Sequence, residues 1–366
     1  MYRTIPLIVV LPMSLGARAQ VLPSFIFADS IAQTVGDLAG PGVVVLSATY
    51  QYVPEHLGSF TDSIGSIGMH GGIMLATGHV FVAQGPNFSQ TTSIGGGYAG
   101  MMDPDLQQVL IPQQLLQSDA AILTLALVPL GDSLQLRYVF ASEEYNEWVC
   151  TAKNDAVGMF LSGPGINGTF SNGGINMATL PGTGLPVMVN TVNLGIPGFN
   201  STGFCGMYPL WEQDSVYYVD NTYGIHMQLD GYTTVLTAKA AVTAGATYQL
   251  RIAIADVDDA NYDSAVFLEY GSLTSDMSTT TEEATGMSEP TLWRDPSSGR
   301  IVLTGFDEGG APVIFQVHDA AGRCVVLVAA ERDGDTWTAP LLAAAGLYVV
   351  RAVRDQQVST GRILVP

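Results

Sequence analysis

Basic side chains are what this sequence has least of. Two lysines, Lys153 and Lys239, and eleven arginines stand against 33 acids, leaving a net charge of −20. Such a balance argues against nucleic acid or an anionic membrane surface as a partner, because both need a basic face. It suits divalent cations, or plain solubility, equally well. Cysteine is nearly as rare. Three residues, Cys150, Cys205 and Cys324, fit an oxidising compartment without making a disulfide scaffold. Cys150 and Cys205 fall in one predicted domain and are the preferred pair, which leaves Cys324 over, expected to be buried in a strand. No C-x-x-C and no Cys/His spacing supports zinc. No run beyond the N-terminus reaches the roughly 18 apolar residues of a membrane helix, so no transmembrane helix is expected in the mature chain. There is no G-x-S-x-G and no G-K-[ST] after the glycine-rich stretch 65–78, so neither a hydrolase elbow nor a phosphate loop is indicated. The histidines, His56, His70, His79, His226 and His318, are scattered singly.

What is present is a chain that should fold. Charged residues are only 13% of it, apolar residues 47%, and 366 residues suffice for two domains with a sizeable core. Forty-one glycines and nineteen prolines, with abundant Thr, Val and Tyr, favour turn-rich β structure. Met1-Tyr2-Arg3 followed by an apolar run over 5–15 and the triplet Ala17-Arg18-Ala19 has the form of a cleaved signal peptide over residues 1–19. Residues 24–38 look helical, 43–50 read as a strand, and 103–110 as a short helix or loop. Strands then follow at 120–127, 134–140, 156–161, 186–192, 232–240, 246–256 and 264–271. Many short strands without alternating helices imply a jelly-roll-like antiparallel β-sandwich over 20–274. Residues 275–290 lack an apolar face and read as a linker. The segment 291–366 alternates like a second, small Ig-like β-sandwich.

The rest of the chain is arranged around residues 136–164, where two β-prone runs flank an insert carrying Glu143, Glu144, Glu147, Cys150, Asn154 and Asp155. Glu143 and Glu144 are adjacent, so on an extended backbone they point to opposite sides, and one of them is expected to face a site. A second acidic run, Asp256-Val257-Asp258-Asp259-Ala260-Asn261-Tyr262-Asp263, lies between two apolar strands. The two runs are expected to meet. Three readings stay open. The second run is a hydrated turn; or Glu144, Asp155, Asp256, Asp258 and Asp263 form a calcium site, since hard cations take six to eight oxygens; or two of the acids form a glycosidase-like pair.

The ordered pieces FASEEY (140–145), FLSGPG (160–165), LPGTGLPV (180–187), DGYTTVLTAKAAV (230–242) and TYQLRIAIADVDDANYDSAVFLEYGS (247–272), with GIMLATG at 72–78, resemble the choice-of-anchor L domain. That resemblance covers about 41–273 and implies a secreted domain joined to different C-terminal attachment signals, with no established reaction. Family members often carry a cysteine just before the strand at 247, where this chain has Gly245-Ala246, so Cys205 must serve as the partner of Cys150 or neither is bridged. Trp293-Arg294-Asp295-Pro296 before Gly299-Arg300-Ile301, DAAGRCV (319–325) and AAGLYVVRAV (344–353) resemble the type A sorting domain of the type IX secretion system. Asp295 stands where that family usually has Asn. The resemblance implies the type IX secretion machinery as a partner and an export signal over 291–366. Together these features predict a secreted or surface-attached binding or adhesion protein, calcium-dependent, with an extracellular glycan or protein ligand. The alternative is a secreted hydrolase acting on polysaccharide.

Overall fold

A computed structural model describes residues 21–366 except 27–30, 52, 96–101, 199–202, 277–290, 306–312, 320–322, 335, 342, 355–356 and 366. The predicted signal peptide and nearly all of the predicted linker lie outside the described residues. Two compact units are present, Met1–Ser278 and Thr279–Pro366.

The first unit is built from short strands in chain order: β1 (Leu22–Phe25), β2 (Val43–Gln51), β3 (Leu57–Thr61), β4 (Gly71–Ala76), β5 (Gln117–Pro129), β6 (Ser133–Ser142) and β7 (Ala156–Ser162). After these come β8 (Ile175–Asn176), β9 (Val187–Met188), β10 (Tyr218–Asp220), β11 (Gly231–Thr233), β12 (Leu236–Ala241), β13 (Tyr248–Val257) and β14 (Ser264–Glu269). Two short helices, α1 (Ile31–Gly36) and α2 (Pro104–Leu110), interrupt them. The stretch 24–38 is therefore not one helix. Ser24 and Phe25 pair with β3 instead, and the described helix is Ile31–Gly36. Asp103 starts α2 by accepting from the N–H groups of Asp105 and Leu106, with Pro104 fixing the first turn.

One sheet runs β1-β3-β4-β14-β6-β11-β10, with β12 also on β6. The other runs β2-β5-β13-β7-β8, with β9 on β7. All of these strand pairings are antiparallel. The two sheets close on a core in which Leu136, Tyr138 and Phe140 of β6 meet Leu123, Leu125, Ile252 and Ile254 of the facing sheet. The alternate residues of the first sheet are also covered. Val139, Ala141, Ala265 and Phe267 pack under Val80, Val82, Met227 and Leu229 in a second core. Burial on both faces explains why β14 and the last half of β6, from Tyr138 on, read as apolar runs, while Ser133, Gln135 and Arg137 earlier in β6 alternate with buried residues. At β6 the two faces belong to different layers, even positions facing between the sheets and odd positions facing outward.

Cys150 and Cys205 are joined by a disulfide, with Cα atoms 4.8 Å apart and both residues buried. The second unit is a small β-sandwich of two four-stranded sheets. In the first of these, β15 (Thr291–Arg294) pairs with β16 (Arg300–Thr304), and β20 (Thr336–Pro340) lies between β16 and β19 (Glu331–Asp333). In the other, β17 (Ile314–His318) lies between β18 (Cys324–Ala329) and β21 (Gly346–Arg354), which pairs with β22 (Gln357–Val365). Ile301, Leu303, Phe315, Trp337 and Val350 form its core. Cys324 lies on β18, an edge strand whose outer residues face solvent, and it is exposed, not buried as expected.

Candidate functional site

The two acidic runs meet at one end of the first sandwich. β7 and β13 pair with Ala156 opposite Ala255, and the next step of that register sets Asp155 beside Asp256. Both side chains are buried. Asp155 bridges the two sheets: its Oδ1 accepts from the Val257 N–H at 3.0 Å and its Oδ2 from the Ser264 hydroxyl at 2.6 Å. A β-bulge between β5 and β13 lies at this level, where Ile254 faces Ala121 but Asp256 faces Ser118. Asp119, the residue after Ser118, takes a left-handed φ of 49° and is buried near Asp256. A bulge of this kind re-aims side chains at a sheet end.

Glu144 arrives from the other sheet. Its N–H is held by the Ser142 hydroxyl at 3.0 Å as β6 ends, which turns the side chain in between the sheets. Neither oxygen of Glu144 and neither oxygen of Asp256 has a hydrogen-bond partner, although both residues are 1% exposed. The Thr77 hydroxyl and the Asp155 carboxyl are among the polar neighbours of Asp256. Burial drives the carboxyl pKa of Glu144 up, and the charges of Asp155, Asp259 and Asp258 push the same way while Lys153 opposes them. Burial likewise raises Asp155 and Asp256, and for Asp256 the charges of Asp155 and Asp263 add to it. An unpaired carboxylate in such a place costs several kcal/mol, by the general order of buried-ion penalties. These groups therefore sit protonated or need a counter-charge.

Asp258 lies apart from this set. Its carboxylate is 45% exposed and pairs with Lys153 Nζ at 2.8 Å, and Asp259 takes the same ammonium. Asp263 is buried but turned outward, where its oxygens accept from the Ser93 hydroxyl at 3.2 Å and the Ile94 N–H at 2.7 Å. Gly78 makes room for it, since a Cβ there would lie 2.1 Å from Asp263 Oδ2. Glu144, Asp155 and Asp256 are thus brought together, with Asp119 beside them, and Asp258 and Asp263 flank the group. Among the described residues no three His, Cys, Asp or Glu side chains are arranged to hold a metal ion as they stand. The sequence pattern did not point to Asp119; its signal, if any, is an isolated acid opening an otherwise apolar strand.

Residues 31–274 match the model of the Choice-of-anchor L domain family. The chain belongs to that family. Its members are surface-anchored or secreted, and among the described residues no helix is long and apolar enough to cross a membrane. No curated protein matches the chain. Among solved structures, a Faecalibacterium prausnitzii β-glucuronidase is 12% identical, with 73% of this chain and 40% of that chain covered and a TM-score of 0.17. The BSP domain of a biofilm-associated protein is 7% identical, covering 68% of this chain and 50% of its own, with a TM-score of 0.16. A Ruminococcus gnavus β-glucuronidase is 10% identical over 67% of this chain and 35% of that one, with a TM-score of 0.15. This chain spans at most half the length of those three, and at such TM-scores the likeness carries no argument.

Proposed function

We propose that this choice-of-anchor L protein is a surface binding or adhesion module whose first sandwich is tied at one end by calcium. Glu144, Asp155 and Asp256 would hold the ion, with Asp258 and Asp263 at its margin. The observation that supports this most is a pair of buried carboxyl groups from different sheets at the side of Asp155: Glu144, with neither oxygen hydrogen-bonded, and Asp256, whose polar neighbours include the Thr77 hydroxyl and Asp155 itself. Because the ligands do not yet converge, binding would draw Glu144 and Asp256 inward, and an all-oxygen set favours calcium or magnesium over zinc. The ion would replace the protons that burial now imposes. An extracellular glycan or protein is the ligand we assign to the module.

A polysaccharide hydrolase would need an open cleft with two opposed carboxylates. The 470 Å³ hollow near Val109, Phe170 and Tyr208 and the 390 Å³ hollow near Arg137 and Glu269 include none of the acids named above among their lining residues. Binding is the reading we keep. For the second unit we propose a sorting domain read by the type IX secretion machinery, supported by its compact separate sandwich and by the motif pieces at 293–301, 319–325 and 344–353.

Calorimetry of calcium added to the chelator-stripped full chain tests the central claim. An ion should bind at this site with release of protons, and Asp256→Asn should abolish that equivalent while the far-ultraviolet circular dichroism stays the same. Undiminished binding in Asp256→Asn sinks the assignment.

A further inference from the structure

Of the two adjacent acids only one was expected to face a site, and Glu143, left out of the calcium set, faces one of its own. It leaves β6 on the outward face, the one covered by the second core. β6 pairs with β11 through Ser142 and Gly231, and with β14 through Ser142 and Ser264. One step further along both registers, Asp230 and Asp263 stand on either side of Glu143, and the Glu143 N–H donates to the Asp263 carbonyl at 3.1 Å. Opposed residues of antiparallel strands project to the same face, so three buried carboxyl groups lie in a row across the end of the sheet.

Residues 87–94 run over that row. Thr92 N–H donates to Glu143 Oε1 at 2.8 Å, and Asn87 Nδ2 donates to Asp230 Oδ1 at 2.6 Å. Between the two acids stands the Gln228 amide, whose Nε2 donates to Asn87 Oδ1 at 3.1 Å, Ser89 O at 2.6 Å and Glu143 Oε1 at 3.3 Å. Each acid thus has one oxygen tied down. The other oxygen of each, Glu143 Oε2 and Asp230 Oδ2, is buried with no hydrogen-bond partner, and the two residues are 1% and 0% exposed. Among the described residues no lysine or arginine forms an ion pair with either.

The geometry points to a second calcium site, made by Glu143 Oε2 and Asp230 Oδ2 with the amide oxygens of Asn87 and Gln228, roofed by residues 87–94. The donor set is two carboxylates with two side-chain amide oxygens, a mixture that calcium accepts and that zinc does not favour. A flip of each side-chain amide would exchange its N–H groups for its oxygen, giving up the bonds that Asn87 Nδ2 makes to the Asn221 carbonyl and that the Phe88 N–H makes to Gln228 Oε1. Such an ion would fix the strap to the sheet. The site shares no residue with Glu144, Asp155, Asp256, Asp258 or Asp263, so it stands or falls apart from the first.

Calcium titration of the stripped full chain counts the ions. Two equivalents are expected, with the Glu143→Gln/Asp230→Asn double variant losing one and Asp256→Asn losing the other. If the wild type binds a single ion, its loss in the double variant supports this site and its retention overturns it. Binding of no ion overturns it as well. Asn87→Asp leaves both acids in place and adds a carboxylate to the roof, so it decides the matter even if the double variant fails to fold. It should tighten one class of site at least tenfold, and unchanged constants overturn the proposal.

Discussion

Ser264 donates its hydroxyl to Asp155 at 2.6 Å, and this one bond joins the first residue of β14 in one sheet to the entry of β7 in the other. Asp155 also accepts from the backbone of Val257 at 3.0 Å, so a single buried carboxyl of the first acidic run satisfies donors at both ends of the second. Asp155→Ala would orphan the two donors in a place water does not reach. Each orphaned buried donor costs about 1–3 kcal/mol, so urea unfolding should show a loss of roughly 2–5 kcal/mol. A loss below about 1 kcal/mol would mean that the sheets are held together elsewhere.

The outward row sets a pH dependence whose sign is opposite to ordinary acid denaturation. Burial raises Glu143 to about 8, against the hydrogen bonds from Thr92, and raises Asp230 to about 7 and Asp263 to about 6. In the unfolded chain all three titrate near 4. A carboxyl whose folded pKa lies above its unfolded one stabilises the fold while protonated, and that contribution is complete below about pH 4. It is lost as pH rises through about 6, 7 and 8 in turn. In chelator the melting temperature should therefore fall from pH 5 to pH 9, most steeply below about pH 6 where all three groups differ in protonation between folded and unfolded chain, and level off above about pH 8, and calcium should remove much of the fall. A melting temperature that climbs over that range in chelator contradicts the burial of these groups.

Much of this was legible in the residues. Alternation and turn chemistry locate β5, β6, β7, β13 and β14 to within a few residues, because strands buried on both faces are long apolar runs ended by acids and glycines. The opposite orientation of Glu143 and Glu144 follows from the two-residue period alone. What sequence could not supply is that both sides of that strand are roofed. The roof over Glu143 comes from residues 87–94, some fifty positions earlier, whose hydrogen-bonding is set by tertiary contact and not by any local pattern. The fate of Asp258 was hidden for a similar reason. Its spacing from Asp256 looks like a ligand pair, yet a left-handed φ of 79° accompanies its position out at Lys153. Residues 24–38 misled because α1 is short and the strand before it pairs with β3.

The disulfide gives a stability test independent of any ion. Cys150 and Cys205 are 55 residues apart, and closing a loop of that length removes unfolded-state entropy worth about 4 kcal/mol in the chain-entropy model. The double variant Cys150→Ser/Cys205→Ser should unfold at lower urea by about that amount, with unchanged calcium stoichiometry. Asn190 holds the Cys150 N–H at 2.7 Å and the Thr151 carbonyl at 2.8 Å, so the loop keeps its local anchorage without the bridge. Loss of both stability and calcium binding would instead tie the insert's conformation to the bridge.

Lys153 offers the most direct test of whether the acids between the sheets await a cation. Its ammonium pairs with Asp258 at 2.8 Å and also with Asp259, and its charge opposes the upward shift of Glu144. It is therefore the fixed positive charge that an incoming calcium must approach. Asp258 and Asp259 are 45% and 30% exposed, and exposed pairs contribute only about 0.2–1 kcal/mol. Lys153→Met should accordingly cost little stability in chelator. Calcium, carrying two charges, should then bind more tightly, by roughly threefold to tenfold at low ionic strength, because one repulsive charge has gone and two carboxylates are freed. That gain should shrink in 1 M salt, where the screening length falls to about 3 Å. Weaker calcium binding in Lys153→Met, at any salt, would show that the ammonium serves chiefly to order the Asp258–Asp259 turn and that no cation competes with it.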